Sequence, residues 1–234
     1  LSLALLPLLF SGLVHAASPP QRLSRWTLDT PASTTDTDVK PRRPKPASTV
    51  DGLAAGAIRF TAETGSSPLA FPTQDADGRP LISLAQGTVR FLYRPAWSTA
   101  QGGPGQEAAL LQLGRKGQDD YWAVRIPPNG RELQFVQFAG NEEYLAARAP
   151  LTFSSNQWVP IALTYGPAGC RFFTNGIPIG PPPAPPRPPR VAKPFPPARA
   201  TVWIGGDDRG QSLARGDLEA LEPFPQPLPP GLLR

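Results

Sequence analysis

Methionine is absent from the 234 residues, and cysteine and histidine occur once each. A single cysteine, Cys170, excludes an intrachain disulfide, a thiolate metal cluster and a CxxC redox pair. It sits in an alternating apolar segment and reads as a small buried hydrophobe. The single histidine, His15, lies at the end of an N-terminal apolar run, so the body of the chain beyond that run has no imidazole. This excludes Ser-His-Asp and Cys-His catalysis, a histidine general base and a zinc site that relies on imidazole. No helical periodicity is sustained anywhere, and no segment after the N-terminal run is long and apolar enough to span a bilayer.

What the sequence has in excess is proline, at 33 residues. The prolines concentrate in two stretches and a tail, which leaves the apolar material for one folded domain. Residues Leu1 to Val14 are almost continuously apolar and end at Val14-His15-Ala16-Ala17, small residues suited to a signal peptidase. Residues 1–17 are therefore read as an export signal, truncated at its start because no initiator Met or basic segment precedes it. The expected localisation is secreted or extracytoplasmic, in the periplasm or at a cell surface. Residues 18–54 read as a Pro/Ser/Thr-rich linker, a disordered arm stiffened by Pro41-Arg42-Arg43-Pro44-Lys45-Pro46.

The formal net charge is +5. Lys40, Arg42, Arg43 and Lys45 lie in the first proline-rich stretch, and Arg187, Arg190, Lys193 and Arg199 in the second, with no acid among them. These cations outnumber the whole positive excess, so the rest of the chain is mildly acidic. That argues against a basic face on the folded body and against a nucleic-acid partner.

From residue 55 the chain becomes a series of short β-type runs punctuated by Gly, Pro, Asn and Asp, the spacing of an antiparallel two-sheet β-sandwich. Strands are expected at Thr88–Arg94, Ala108–Leu113, Tyr121–Ile126, Glu132–Phe138, Val159–Tyr165, Cys170–Thr174 and Thr201–Gly205. In the first of these Val89, Phe91 and Tyr93 share one face while Arg90 and Arg94 share the other, as in a strand with one packed and one wet side. Trp122, Val124 and Ile126 oppose Tyr121 and Arg125 in the same way. Leu133 and Phe135 share a face, but Val136 and Phe138 take the other, which indicates a bulge or a strand covered on both sides. Asn175-Gly176 is the strongest hairpin signal, because both residues tolerate positive φ. Ten of the nineteen residues from Pro181 to Arg199 are proline, so this segment is expected to be a loop inserted between strands. Its PxxP spacings are nearly automatic at that proline density. Residues 225–234 form a further Pro-rich tail.

The order of short signatures resembles the laminin-G-like jelly-roll domain of the concanavalin A-like lectin/glucanase superfamily. The resemblance rests on Gly87-Thr-Val-Arg-Phe-Leu-Tyr-Arg-Pro-Ala-Trp97, Leu110-Leu-Gln-Leu-Gly114, Asn156-Gln-Trp-Val-Pro-Ile-Ala-Leu-Thr-Tyr165 and Arg171-Phe-Phe-Thr-Asn-Gly176. It continues through Thr201-Val-Trp-Ile-Gly-Gly-Asp207 and Gly216-Asp-Leu-Glu-Ala-Leu-Glu-Pro-Phe224. These cover residues 55–224, with the Pro-rich insertion at 181–199 longer than usual. Glu219 stands where the family more often has Asp.

The resemblance implies a binding domain for carbohydrates, proteins or calcium, with some relatives hydrolysing glycans. Hydrolysis on this scaffold needs carboxylates at alternate strand positions. Asp217 and Glu219 share a face, but Arg215 occupies the remaining position, so no catalytic residue is assigned and the chain is read as a non-enzyme. Arg215-Gly216-Asp217 spells an adhesion tripeptide but starts a strand rather than a loop tip. Asp75-Ala-Asp77-Gly78 reads as a turn, because the third acid and distal Glu of a calcium loop are missing.

Strand-end groups gather at the rims of a sandwich. Asp119, Asp120, Tyr121, Asn141, Glu142 and Tyr144 are the candidate ligand-binding residues, and Asp207 and Asp208 the candidate metal ligands, with calcium as the ion. Solvated turn residues are the alternative. The function expected is a secreted binding or adhesion module for a glycan or a cell-surface protein. A structural envelope protein is the second reading and a glycan hydrolase the third.

Overall fold

The computed structural model describes residues 20–30, 35–42, 48–61, 66–118, 120–139, 142–182 and 199–233. The expected export signal, Asp119, Asn141 and positions 183–198 of the proline-rich insertion lie outside the described residues.

Thirteen strands follow one another: β1 Ser48–Asp51, β2 Gly56–Phe60, β3 Leu69–Pro72, β4 Gly87–Pro95, β5 Ala108–Leu113, β6 Trp122–Ile126, β7 Glu132–Ala139, β8 Glu142–Pro150, β9 Val159–Tyr165, β10 Arg171–Thr174, β11 Ile177–Ile179, β12 Thr201–Ile204 and β13 Gly216–Phe224. They form a seven-stranded sheet, β1-β2-β13-β4-β9-β10-β11, and a six-stranded sheet, β3-β12-β5-β6-β7-β8, with antiparallel neighbours throughout. The two sheets face each other as a jelly-roll sandwich, as the alternation requires.

One cluster fills the space between them. Val89, Phe91 and Tyr93 of β4, and Ile161, Leu163 and Tyr165 of β9, meet Trp122, Val124 and Ile126 of β6 and Leu133 and Phe135 of β7. Trp122 packs edge-on against Phe135 with ring centroids 5.6 Å apart, so its indole belongs to the core. Each large apolar side chain buried here contributes roughly 1.5–3 kcal/mol. Tyr93 donates its hydroxyl proton to the carbonyl of Ala214 at 2.6 Å, and Tyr165 to that of Ser83 at 2.7 Å, so neither buried phenol is left unsatisfied. Burial pushes both phenols well above the ordinary tyrosine range.

Turns follow the expected chemistry. Asn175 and Gly176, at φ 50° and 73°, close the β10–β11 hairpin. Gly205, at φ 80°, ends β12 where an added Cβ would overlap the Phe60 ring, so the close approach of the two sheets requires glycine there.

Three sequence expectations change and a fourth is resolved. The described part of 18–54 is no linker. Trp26 and Leu28 are fully buried, and Trp26 exchanges both backbone hydrogen bonds with Leu221 at 2.9 Å, extending the sheet beside β13. Residues 48–51 of the same stretch form β1, paired with β2. Two apolar residues spaced by one, in polar surroundings, give no strand signal, and β13 and Phe71 supply the burial. Second, the described part of the tail, residues 225–233, docks on the outer face of the seven-stranded sheet, where Leu228 and Leu233 join Ala162, Phe173 and Phe224. Third, β8 is a nine-residue strand that the sequence did not announce, because its alternation is mostly Ala and charge. Fourth, the apolar switch in β7 is a strand packed on both faces. Val136 and Phe138 form an outer cluster with Tyr121 and Ala123, while the register shift opposite Phe135 and Val136 falls in β8.

Candidate functional site

The outer face of the six-stranded sheet holds a cleft of about 640 Å³, within the roughly 300–1,000 Å³ typical of small-ligand sites. Its floor comes from alternation in two neighbouring strands. Val202 and Ile204 of β12 point into the core, so Trp203 between them points outward, and Ala70 of β3 lies opposite it. Trp203 is half-buried. The walls are Arg42, the β5–β6 loop with Arg115, Gln118 and Asp120, the segment Arg199–Thr201 leading into β12, and Asp208.

Several contacts hold these walls in place. The backbone N–H of Arg42 bonds the carbonyl of Ala70 at 2.6 Å, and its guanidinium reaches Thr201 Oγ1 at 3.1 Å. Gln112, outward-facing on β5 and buried, donates to Asp208 Oδ1 at 2.9 Å and to the carbonyl of Gly114 at 3.0 Å. Gly114, at φ 67°, turns the chain where a Cβ would crowd Asp120. The cleft thus presents guanidinium donors, carboxylate acceptors and one aromatic side chain.

Of the residues expected at a site, Asp120 and Asp208 come together here. Tyr121 instead belongs to the outer apolar cluster on β6 and β7, and its burial, with Glu143 nearby, raises its phenol above the ordinary range. Glu142 lies on the edge strand β8, exposed, and Tyr144 on the same strand donates its hydroxyl to Gln137. Asp207 caps a turn by accepting from the N–H of Gln211 at 2.7 Å.

Calcium takes six to eight oxygens. Among the described residues no three acids gather around one point, and Asp207 and Asp208 each already accept an intramolecular hydrogen bond. The two carboxylates by themselves supply fewer oxygens than a calcium ion takes. Asp75 accepts from the N–H groups of Asp77 and Arg79, closing the turn expected there.

The carboxylates considered for hydrolysis are occupied elsewhere. Asp217, 2% exposed, lies between Arg59 at 2.8 Å and Arg94 at 2.7 Å, and its hydrogen bond raises the Arg59 pKa. Such burial also removes it from any partner that would read Arg215-Gly216-Asp217. Glu219, 1% exposed, accepts the backbone N–H groups of Leu53, Ala54 and Ala55, which fixes the loop between β1 and β2.

Reasoning from sequence overlooked Trp203, Arg42, Arg115, Gln118 and Arg199. The signal for Trp203 was its place between Val202 and Ile204, which sets it on the solvent side by period two.

The fold is a jelly-roll sandwich with an open cleft on the outer face of one sheet. Residues 95–230 match a laminin-G family model described as concanavalin A-like lectin/glucanases superfamily, and the chain belongs to that superfamily. No curated protein sequence matches it significantly. Among solved structures, it is similar to domain 4 of AbnA, a GH43 extracellular arabinanase from Geobacillus stearothermophilus, in complex with arabinotriose. The TM-score is 0.62 at 14% identity over 92% of this chain and 98% of that one. It also resembles the Ruminococcus gnavus IT-sialidase CBM40 bound to α2,3 sialyllactose, with TM-score 0.52 and 17% identity over 81% of this chain and 95% of that one. A third similarity is to the botulinum neurotoxin serotype G binding domain, with TM-score 0.61 and 10% identity over 91% of this chain and 50% of that one. At these identities the likeness is one of fold.

Proposed function

We propose that the chain is a non-catalytic glycan-binding module acting outside the cytoplasm, and that the cleft beside Trp203 is its binding site. The observation that carries this reading is a half-buried tryptophan on the outer face of a sheet, ringed by Asp120, Asp208, Gln118 and arginines. An indole offers apolar area for the C–H face of a sugar ring, while the side-chain amide, carboxylates and guanidiniums suit its hydroxyls. Two similar folds were solved with arabinotriose and sialyllactose, which supports the ligand class. The non-catalytic reading is supported by the engagement of Asp217 and Glu219 in internal contacts. The apolar run Leu1 to Val14 with its small-residue end supports an extracytoplasmic location.

The test is titration calorimetry of the chain against a panel of neutral and acidic oligosaccharides, with Trp203→Ala and Asp120→Asn as variants. At least one glycan should bind, and Trp203→Ala should weaken it by about tenfold or more, near 1.4 kcal/mol. An unchanged thermal midpoint in Asp120→Asn checks that lost binding is not lost folding. Absence of binding to every glycan, or full binding by both variants, overturns the reading.

A further inference from the structure

We propose that the glycan bound in this cleft is an acidic polysaccharide, gripped through its anionic groups by Arg115 and Arg199. The inference rests on the glycan-binding reading and adds the ligand's charge.

Several cations of the molecule are held by carboxylates. On the seven-stranded sheet Arg59 and Arg94 meet Asp217, and Arg90, Arg22 and Arg25 meet Glu222, all within 3.6 Å. Elsewhere on the six-stranded sheet Arg125 lies between Glu107 at 3.1 Å and Glu143 at 2.8 Å, and Lys116 adds to Glu143 at 3.1 Å. Among the described residues, no carboxylate is within 4.0 Å of the guanidinium of Arg115 or Arg199, although Asp120 and Asp208 line the same cleft. Arg42 adds a third guanidinium beside them. Other arginines among the described residues, Arg131, Arg148, Arg171, Arg209 and Arg215, also have no carboxylate within 4.0 Å, but the cleft gathers three guanidiniums around one opening.

Two exposed guanidiniums without anions, held on a wall with a third, present forked donors that match carboxylate or sulfate oxygens in bidentate fashion. The protein's low-dielectric wall on one side strengthens such a contact relative to open water. Asp120 and Asp208 act differently. They accept hydroxyl protons and disfavour an anionic chain without free hydroxyls, such as a DNA backbone, so a sugar chain that carries hydroxyls beside its acid groups fits the mixed wall.

The experiment uses the full chain and four probes of similar length: an oligogalacturonate, a sulfated dextran oligosaccharide, a neutral galactan oligosaccharide and oligothymidylate. At low salt the oligogalacturonate, the sulfated dextran or both should bind about tenfold or more tighter than the neutral chain. The two acidic arms tell carboxylate from sulfate. The preference should shrink as salt rises from about 50 to about 500 mM. It should vanish in Arg115→Gln/Arg199→Gln while neutral-glycan binding persists. Equal binding of neutral and acidic chains, a preference surviving in the double variant, or oligothymidylate binding as tightly as the acidic sugars overturns this inference and leaves the parent reading intact. Failure of every sugar overturns both.

Discussion

On the outer face of the seven-stranded sheet, Arg59 and Arg94 enclose Asp217 and Arg90 meets Glu222 at 2.6 Å, whereas across the sandwich Arg115 and Arg199 line a cleft with no carboxylate within 4.0 Å among the described residues. The two faces share one scaffold and one period-two alternation. Their difference lies in where the acids stand. On the seven-stranded sheet β13 places Asp217, Glu219 and Glu222 outward in the middle of the sheet, between neighbours that supply arginine or backbone N–H groups. The tail then covers part of that face. The cleft of the six-stranded sheet is built from strand ends and loops, and among the described residues its Arg115 and Arg199 have no carboxylate counterparts. The first face commits its central arginines to holding the fold together, and the cleft leaves two of its arginines available.

If that division is right, substitutions on the first face should cost stability and those on the second should not. The largest effect is expected for Asp217→Ala. Removing a nearly buried carboxylate strands Arg94, whose side chain is 19% exposed, and frees Arg59, at 39%. Breaking a buried pair costs about 3–5 kcal/mol, and the partial exposure of both arginines places this one near 3. Urea unfolding measures it. A loss below about 1 kcal/mol would show that the pairing contributes no more than a surface ion pair.

Glu219→Ala should come next, at about 2 kcal/mol. It removes a charged acceptor from three consecutive N–H groups of the β1–β2 loop. Gly52 sits so close that a Cβ there would overlap the Glu219 carboxylate, so Gly52→Ala should mimic part of the loss. Hydrogen exchange at residues 53–55 is the sharper readout, since protection there should fall while that of β6 and β7 persists.

A smaller effect comes from the edge where Cys170 lies. Burial pushes its thiol above the ordinary range, up to about 11. The folded state therefore keeps its proton at pH values where the unfolded chain has lost it. Stability from this source is complete below about pH 9 and declines as pH rises toward 11. Tyr93 and Tyr165 shift in the same direction at higher pH. Thermal midpoints between pH 8 and 11 should fall by a few degrees, roughly, in the parent chain and by less in Cys170→Ala. Equal declines would remove the thiol from the account.

How much of this was readable in the sequence follows the same division. The inward residues of β4, β6 and β9 announce themselves, because strict alternation of large apolar side chains has no other use. The Asn175-Gly176 turn is equally plain. Trp26 and Leu28 are opaque, since their burial depends on β13, nearly two hundred residues away in the chain. The cleft is opaque for a related reason. Arg42 and Arg199 belong to proline-rich stretches whose charge seemed separable from the folded body, yet backbone pairing of Arg42 with Ala70 and the entry into β12 bring both to the same wall. Net charge summed along a sequence does not reveal which cations the topology gathers. Asp120 and Asp208 can be placed at a rim from the sequence, because strand-end acids need only the order of the strands. Tyr121 was misjudged because the outer apolar cluster draws on Val136 and Phe138 from the next strand.

The smallest effect is expected for Arg115→Gln/Arg199→Gln on stability, and it is the most discriminating. Both side chains are exposed and neither has an ion-pair partner among the described residues, so their removal takes no favourable contact from the folded state. The unfolding free energy should stay within about 0.5 kcal/mol of the parent. A slight gain is the natural direction, since three guanidiniums lining one cleft repel one another, and the gain should fade with salt. A loss of about 2 kcal/mol would mean that these arginines serve the fold as Arg59 and Arg94 do. The two faces would then be alike, and the cleft would lose its claim to charges held in reserve for a ligand.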